Sequence, residues 1–181
     1  NGFPASEVKS TGARHGSIMC AKDGIVSRGV LLDIPATKGV PWLEPGTPIT
    51  IADLDAAERA HGVTVGAGDI LLVATGRDAR RAEHGAWVPF RDGMAGLHPE
   101  CVPWLRERDI AVLGCDGVSD VFPGPQIEGW SMPIHQCTLA AMGVHLLDNL
   151  RLDTLSTACA THNQYAFQFT VAPLRVEGGT G

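Results

Sequence analysis

Two histidines and one carboxylate stand among apolar residues in the stretch MPIHQCTLAAMGVHLLDN, residues 132–149. By residue type, His135, His145 and Asp148 are suited to chemistry, because a histidine and a carboxylate brought together can share an ion. Whether they meet depends on how the segment folds. One unbroken helix would hold His135 and Asp148 roughly 20 Å apart at about 1.5 Å per residue, too far to share anything. Gly143 points to another course, since a glycine after HQCTLAAM suits the left-handed residue that ends a helix. The following VHLLDNL is short and apolar and reads as a strand. About two helical turns out and about five extended residues back cover comparable lengths, which brings Asp148 towards His135. On the helix, His135, Leu139 and Met142 fall on one face at the i, i+4, i+7 spacing. His145 alternates away from Leu146 and is expected at the surface. The competing reading makes His135 an ordinary first-turn histidine with one hydrogen-bond partner.

The rest of the chain must position these residues. GIVSRGVLLDI, GDILLVATG and IAVLGCDG read as buried strands, and YAFQFTVAPLRV as a last, alternating strand of about ten residues. Between them, Thr50 and Asp53 form a capping-box signal ahead of LDAAERAHG, a helix closed by Gly62. HPECVPWLRERD reads as a short helix with Pro103 in its first turn or at a break, and LDTLSTACATHN as another helix. PATKGVPWLEPGTP, RDARRAEHGAWVPFRDGMAG and DVFPGPQIEGWSMP read as loops. Alternating strands and helices predict an α/β domain. Its apolar runs are too continuous for one-sided exposure, so the sheet is expected to be central, with helices against it.

Composition narrows the function classes. The 181 residues are 44% hydrophobic and 19% charged, a globular composition, and fit a single domain over residues 1–181. A net charge of −6 with no basic stripe argues against nucleic acid. The longest apolar runs are too short to span a bilayer, and no signal peptide opens the chain. The five cysteines are odd in number and widely spaced, which favours reduced, mostly buried thiols and a cytoplasmic setting. The glycines of GVTVGAGDI precede a strand rather than a helix, so they do not mark a dinucleotide site.

Four blocks in order, GDILLVATG, GLHPECVPWLRERDIAVLGCDGVSD, PIHQCTLAAMGVHLLDNL and YAFQFTVAPLRVEGGTG, resemble the cyclase family of metal-dependent hydrolases, which includes bacterial kynurenine formamidases and isatin hydrolases. The resemblance runs from about Ile25 to Gly181. It implies the swivelling β/β/α fold and a homodimer or larger homo-oligomer. It also implies hydrolysis of a small amide by a zinc or manganese ion that polarises the carbonyl and delivers hydroxide. The family holds that ion with the signature H-x-G-T-H-x-D-x-x-x-H, and formamidase members add a later His and Glu for a second ion. His135 matches that His and Asp148 matches the Glu, with a spacing of thirteen rather than twelve and a carboxylate one methylene shorter. Asp116 and Ser119 in CDGVSD match a D-x-x-S piece near the family active site, although a plain turn after the third strand reads equally well.

No H-x-x-x-H-x-D occurs in the 181 residues. In the family that signature lies just before the segment that NGFPASEV resembles, so the chain reads as truncated at both ends. His135 is then a metal ligand or proton carrier, and Asp148 a ligand or the group that orients it. Trp130 and Trp42 are candidates for an aromatic wall, and His15 or His98 for further ligands. The resemblance predicts no tightly held metal in this chain alone and an open, partly apolar hollow beside His135. Two rival functions stay open: a non-catalytic or metal-less module that keeps the fold, and a polyketide-type cyclase or dehydratase.

Overall fold

The computed structural model describes residues 3–125 and 127–179. The chain divides into two compact units, Asn1–Ser27 with Gln168–Gly181, and Arg28–Phe167. In the first unit, β1 (Val8–Lys9) and β2 (Gly12–Ala13) pair antiparallel. The Ala13 amide donates to Gly178 O at 2.7 Å, and Arg175 Nε donates to Lys22 O at 2.8 Å.

The candidate site belongs to the second unit. In chain order the elements from Ile25 to Val171, the first and last of which cross the unit boundaries in sequence, begin with β3 (Ile25–Asp33), α1 (Ile34–Lys38), β4 (Pro48–Ile49) and α2 (Ile51–His61). Next come β5 (Ile70–Ala74), α3 (Arg77–His84), α4 (Pro89–Asp92) and β6 (Gly96–Leu97). Then follow α5 (Cys101–Glu107), β7 (Val112–Cys115), and α6 (Pro133–His135), which continues as a π-helical stretch, Gln136–Met142. The series closes with β8 (His145–Leu147), α7 (Asp153–His162) and β9 (Ala166–Val171). The main sheet has the order β8-β7-β5-β3-β9. Four of its strands run parallel, with Leu31 opposite Leu72, Ile70 opposite Val112, and Leu113 opposite Leu146.

The sheet is the α/β core expected from the apolar runs. All of β5 and β7 is buried, as parallel strands covered on both faces should be. Val30, Leu32, Leu71, Val73 and Leu113 form one cluster with Leu54 and Ala57 of α2, Trp104 and Leu105 of α5, and Ile134 of α6. The capping box on α2 forms as its residues indicate. The Thr50 side chain accepts from the Asp53 amide, and Asp53 Oδ2 accepts from the Thr50 amide at 2.9 Å. Among the described residues no helix is long and apolar enough to cross a membrane. The cysteines are free, and Cys101, Cys115 and Cys159 are buried.

Several local readings need correction. PATKGVPWLEPGTP is not all loop, because Asp33 Oδ1 accepts from the Ala36 amide at 2.9 Å and starts α1 with Pro35 in its first turn. The segment Arg77–His84 is helical without any buried residue, and what fixes it is a tertiary cap described below. The last strand ends at Val171, two residues before Pro173, instead of running about ten residues.

The segment from Met132 folds as a helix that stops at Gly143 in the left-handed conformation (φ 71°) and returns as β8. The expected buried face is displaced, however. Ile134 and Thr138 are buried, while Leu139 is 45% exposed. The π-helical winding takes more residues per turn than an α-helix, so Leu139 and Met142 do not stack above His135 as an α-helical spacing would place them. His145 is half-buried rather than on the surface, opposite Val112 in the sheet.

Candidate active site

Polar residues gather where the parallel strands end. β5 runs into Thr75, Gly76 and Arg77, β7 into Asp116 through Asp120, and β8 into Asp148 and Asn149. Open α/β sheets place their ligands beyond these carboxyl ends.

His135 stands between two carboxylates. Its Nδ1 lies 2.6 Å from Asp120 Oδ2, and its Nε2 lies 2.9 Å from Asp148 Oδ2. Each carboxylate is fixed in turn. Asp120 Oδ1 accepts from the Ile134 amide at 2.8 Å, and Oδ2 also accepts from the His135 amide at 3.1 Å. Asp148 Oδ1 accepts from the Ser119 hydroxyl at 2.9 Å and from its amide at 3.2 Å. The helix start thus delivers two amides and the imidazole to one aspartate. The Asp120 side chain is 6% exposed, against 22% for His135 and 23% for Asp148, so the ring meets solvent beside Asp148.

The electrostatics follow from these contacts. Hydrogen bonding to Asp120, then to Asp148, raises His135 to about 9 despite some burial, so the ring is an imidazolium at neutral pH and both nitrogens donate. Burial alone would push Asp148 up, but the hydrogen bonds from His135 and Ser119 outweigh it and hold the carboxyl below its ordinary range. No thiol competes as a nucleophile here. Burial pushes Cys101 up to about 12 and Cys115 well above its ordinary value.

Asp116 faces elsewhere. Its Oδ1 accepts from the Thr75 amide and hydroxyl at 2.9 and 2.8 Å, and its Oδ2 from the Gly76 and Arg77 amides at 3.0 and 3.1 Å. These contacts supply the cap of α3 that the local sequence lacks. Burial raises the Asp116 carboxyl, and the four hydrogen bonds oppose that rise. The structure therefore brings together His135, Asp148 and Ser119, with Asp116 holding the neighbouring strand end. Ser119 is fully buried and donates to Asp148, not to His135, which suits orientation rather than nucleophilic attack.

Asp120 is the participant that the sequence reading missed. Its only local signal is a carboxylate flanked by apolar residues in VSDVF. Its position comes from β6, because the Leu97 amide donates to Ser119 O at 2.8 Å and Leu97 pairs with Asp120. A hollow lined by Asp120, Leu97, Phe122, Trp130 and Pro133 opens beside the clamp. Trp130 thus stands where an aromatic wall was expected. Trp42 does not line that hollow; it donates to Glu44 at 2.7 Å and meets His84 edge-on. His98 pairs with Glu100 and His15 with Glu7, so neither extends the cluster.

A metal ligand must be a neutral imidazole with an open nitrogen. His135 offers Nε2 only by releasing its proton and loosening the Asp148 contact. Among the described residues no group of three His, Cys, Asp or Glu is placed to hold a metal. His135 and Asp148 alone supply two donors, fewer than the roughly three a catalytic metal site usually takes from the protein, and here they stand as part of a carboxylate–histidine–carboxylate clamp.

The chain belongs to the family described as "Putative cyclase", whose model matches residues 8–120, more than half of its length. No curated protein matches it significantly. Among solved structures, a novel cyclase is 28% identical with a TM-score of 0.84, over 98% of this chain and 58% of that one. Isatin hydrolase A from Ralstonia solanacearum is 24% identical with a TM-score of 0.64, over 86% of this chain and 57% of that one. An isatin hydrolase bound to the product analogue thioisatinate is 22% identical with a TM-score of 0.65, over 86% and 56%. The chain therefore spans under three-fifths of the length of these relatives.

Proposed function

We propose that the protein hydrolyses a small amide, of the aryl formamide or cyclic aromatic amide type, at the His135 clamp. The observation that carries this reading is a histidine whose two ring nitrogens are each held by an aspartate at the carboxyl edge of the sheet. Family membership and the likeness in fold to isatin hydrolases support it. Asp120 holds Nδ1–H and fixes the ring. The Nε2–H, shared with Asp148, donates its proton to the nitrogen that leaves as the C–N bond breaks, while a water oxygen bonds to the carbonyl carbon and the water's proton restores the imidazolium. Asp116 and Ser119 act as positioning residues. Zinc or manganese belongs to this proposal only with donors beyond His135 and Asp148, because a catalytic site usually takes about three from the protein. A homo-oligomeric assembly is part of the same reading.

The test is turnover of formanilide and isatin by the intact protein, with and without added zinc or manganese. Hydrolysis is expected, and His135→Gln should lower kcat/KM by about 10²–10⁴-fold. Undiminished turnover by that variant would remove His135 from the chemistry. No turnover by the wild type in any of these conditions would leave the non-catalytic module as the better account.

A further inference from the structure

We propose that Arg77 anchors a carboxylate carried by the substrate, beside Asn149 where the chain leaves β8, so that the site selects acidic amides over neutral ones. The proposal rests on the amide-hydrolase reading for the identity of the molecule, but the anion site can be tested without turnover.

Arg77 Nη1 donates to Asp116 O at 3.0 Å and to Asn149 Oδ1 at 2.6 Å. Both acceptors are neutral. Among the described residues no carboxylate lies within ion-pair distance of this guanidinium, and its Nε and Nη2 make no hydrogen bond to protein. Its neighbours are different: Arg80 pairs with Glu44 at 3.0 Å, and Arg151 lies 3.4 Å from Asp153. A positive charge held in place by neutral dipoles, with donors left over, suits a planar anion such as a carboxylate.

The surroundings agree. Arg77 lines a narrow, half-enclosed pocket with Trp87, Met94, Val118 and Asn149. Trp87 is fixed by its Nε1 donating to Gly93 O at 3.0 Å and by the Arg80 guanidinium 4.8 Å from its ring centre. The pocket's volume of about 20 Å³ has room for a carboxylate oxygen at Arg77, with the body of the ligand outside it. The amino end of α3 is not the anion site, because Asp116 already occupies its amides. Asn149 joins the two sites. It follows Asp148 directly, adopts a left-handed backbone (φ 58°), donates its amide to Gly117 O at 2.8 Å, and so presents its side chain to Arg77. Asn149, the partner of Arg77, therefore lies one residue beyond Asp148, the carboxylate on His135 Nε2.

Isothermal titration of the protein with benzoate, and with benzamide as its neutral counterpart, tests this. Saturable binding of benzoate is expected, with benzamide binding at least about tenfold more weakly. Arg77→Met should weaken benzoate by a similar factor and Arg77→Lys by less, while Arg106→Met on the exposed face of α5 should change nothing. Equal affinity for benzoate and benzamide in the wild type would overturn the proposal, and that comparison needs no variant to fold. Benzoate binding unaffected by Arg77→Met would also overturn it. Benzoate binding without amide turnover would keep the anion site and sink the hydrolase reading, so the two failures are separable.

Discussion

Among single residues, the aspartate that governs His135 sets the charge of the site. Asp120 is nearer, more buried and fixed by two backbone amides, whereas Asp148 is a quarter exposed and depends on Ser119. Hydrogen bonding to Asp120 is the largest influence on the ring. Asp120→Asn should therefore lower the His135 pKa further than Asp148→Asn, as read from the imidazole resonances in an NMR titration. A larger drop with Asp148→Asn would reverse the assignment. The pairing of His135 with Asp148 was legible, because Gly143 marks where the chain turns back. Asp120 was not, since it lies fifteen positions before His135 and its place depends on β6 pairing alongside.

At the scale of elements, legibility followed whether the cause lay in the local sequence. The strands announced themselves by apolar runs, and α2 by Thr50, Asp53 and Gly62. By contrast, α3 has no buried face, and its cap comes from Asp116, about forty residues later. The π-helical winding after His135 likewise has no signature in HQCTLAAM, and it moved the buried face from Leu139 to Thr138. Two glycines separate backbone strain from crowding at the site. A Cβ at Gly96 would lie 2.5 Å from the Asp120 backbone carbonyl, so Gly96→Ala should displace Asp120 and cost about 1–3 kcal/mol in urea unfolding. It should also depress the His135 pKa. A Cβ at Gly143 would meet nothing within 4 Å, so Gly143→Ala carries only the left-handed backbone cost of about 1–2 kcal/mol. Its His135 titration should stay near that of the wild type, and a large shift would show that the turn, not β6, sets the clamp.

At the scale of the whole molecule, a charged histidine built into the carboxyl edge of the sheet couples stability to pH. The folded His135 value of about 9 lies above the ordinary 6.5. Its contribution is therefore fully present below pH 6.5 and is lost as pH rises through about 9. The span between those values corresponds to about 3 kcal/mol. His61, which burial lowers, shifts stability on the acid side and does not overlap this window. Groups remote from the clamp contribute equally to wild type and variant, so a difference between the two reports on His135 and its two aspartates. The most direct measurement is urea unfolding from pH 6 to 10 on the wild type and on His135→Gln. The wild type should lose its advantage over the variant progressively above pH 6.5, by up to about 3 kcal/mol once pH 9 is passed. Two curves that stay parallel across that range would show that His135 is not held as an imidazolium between Asp120 and Asp148, and the clamp would fall with it.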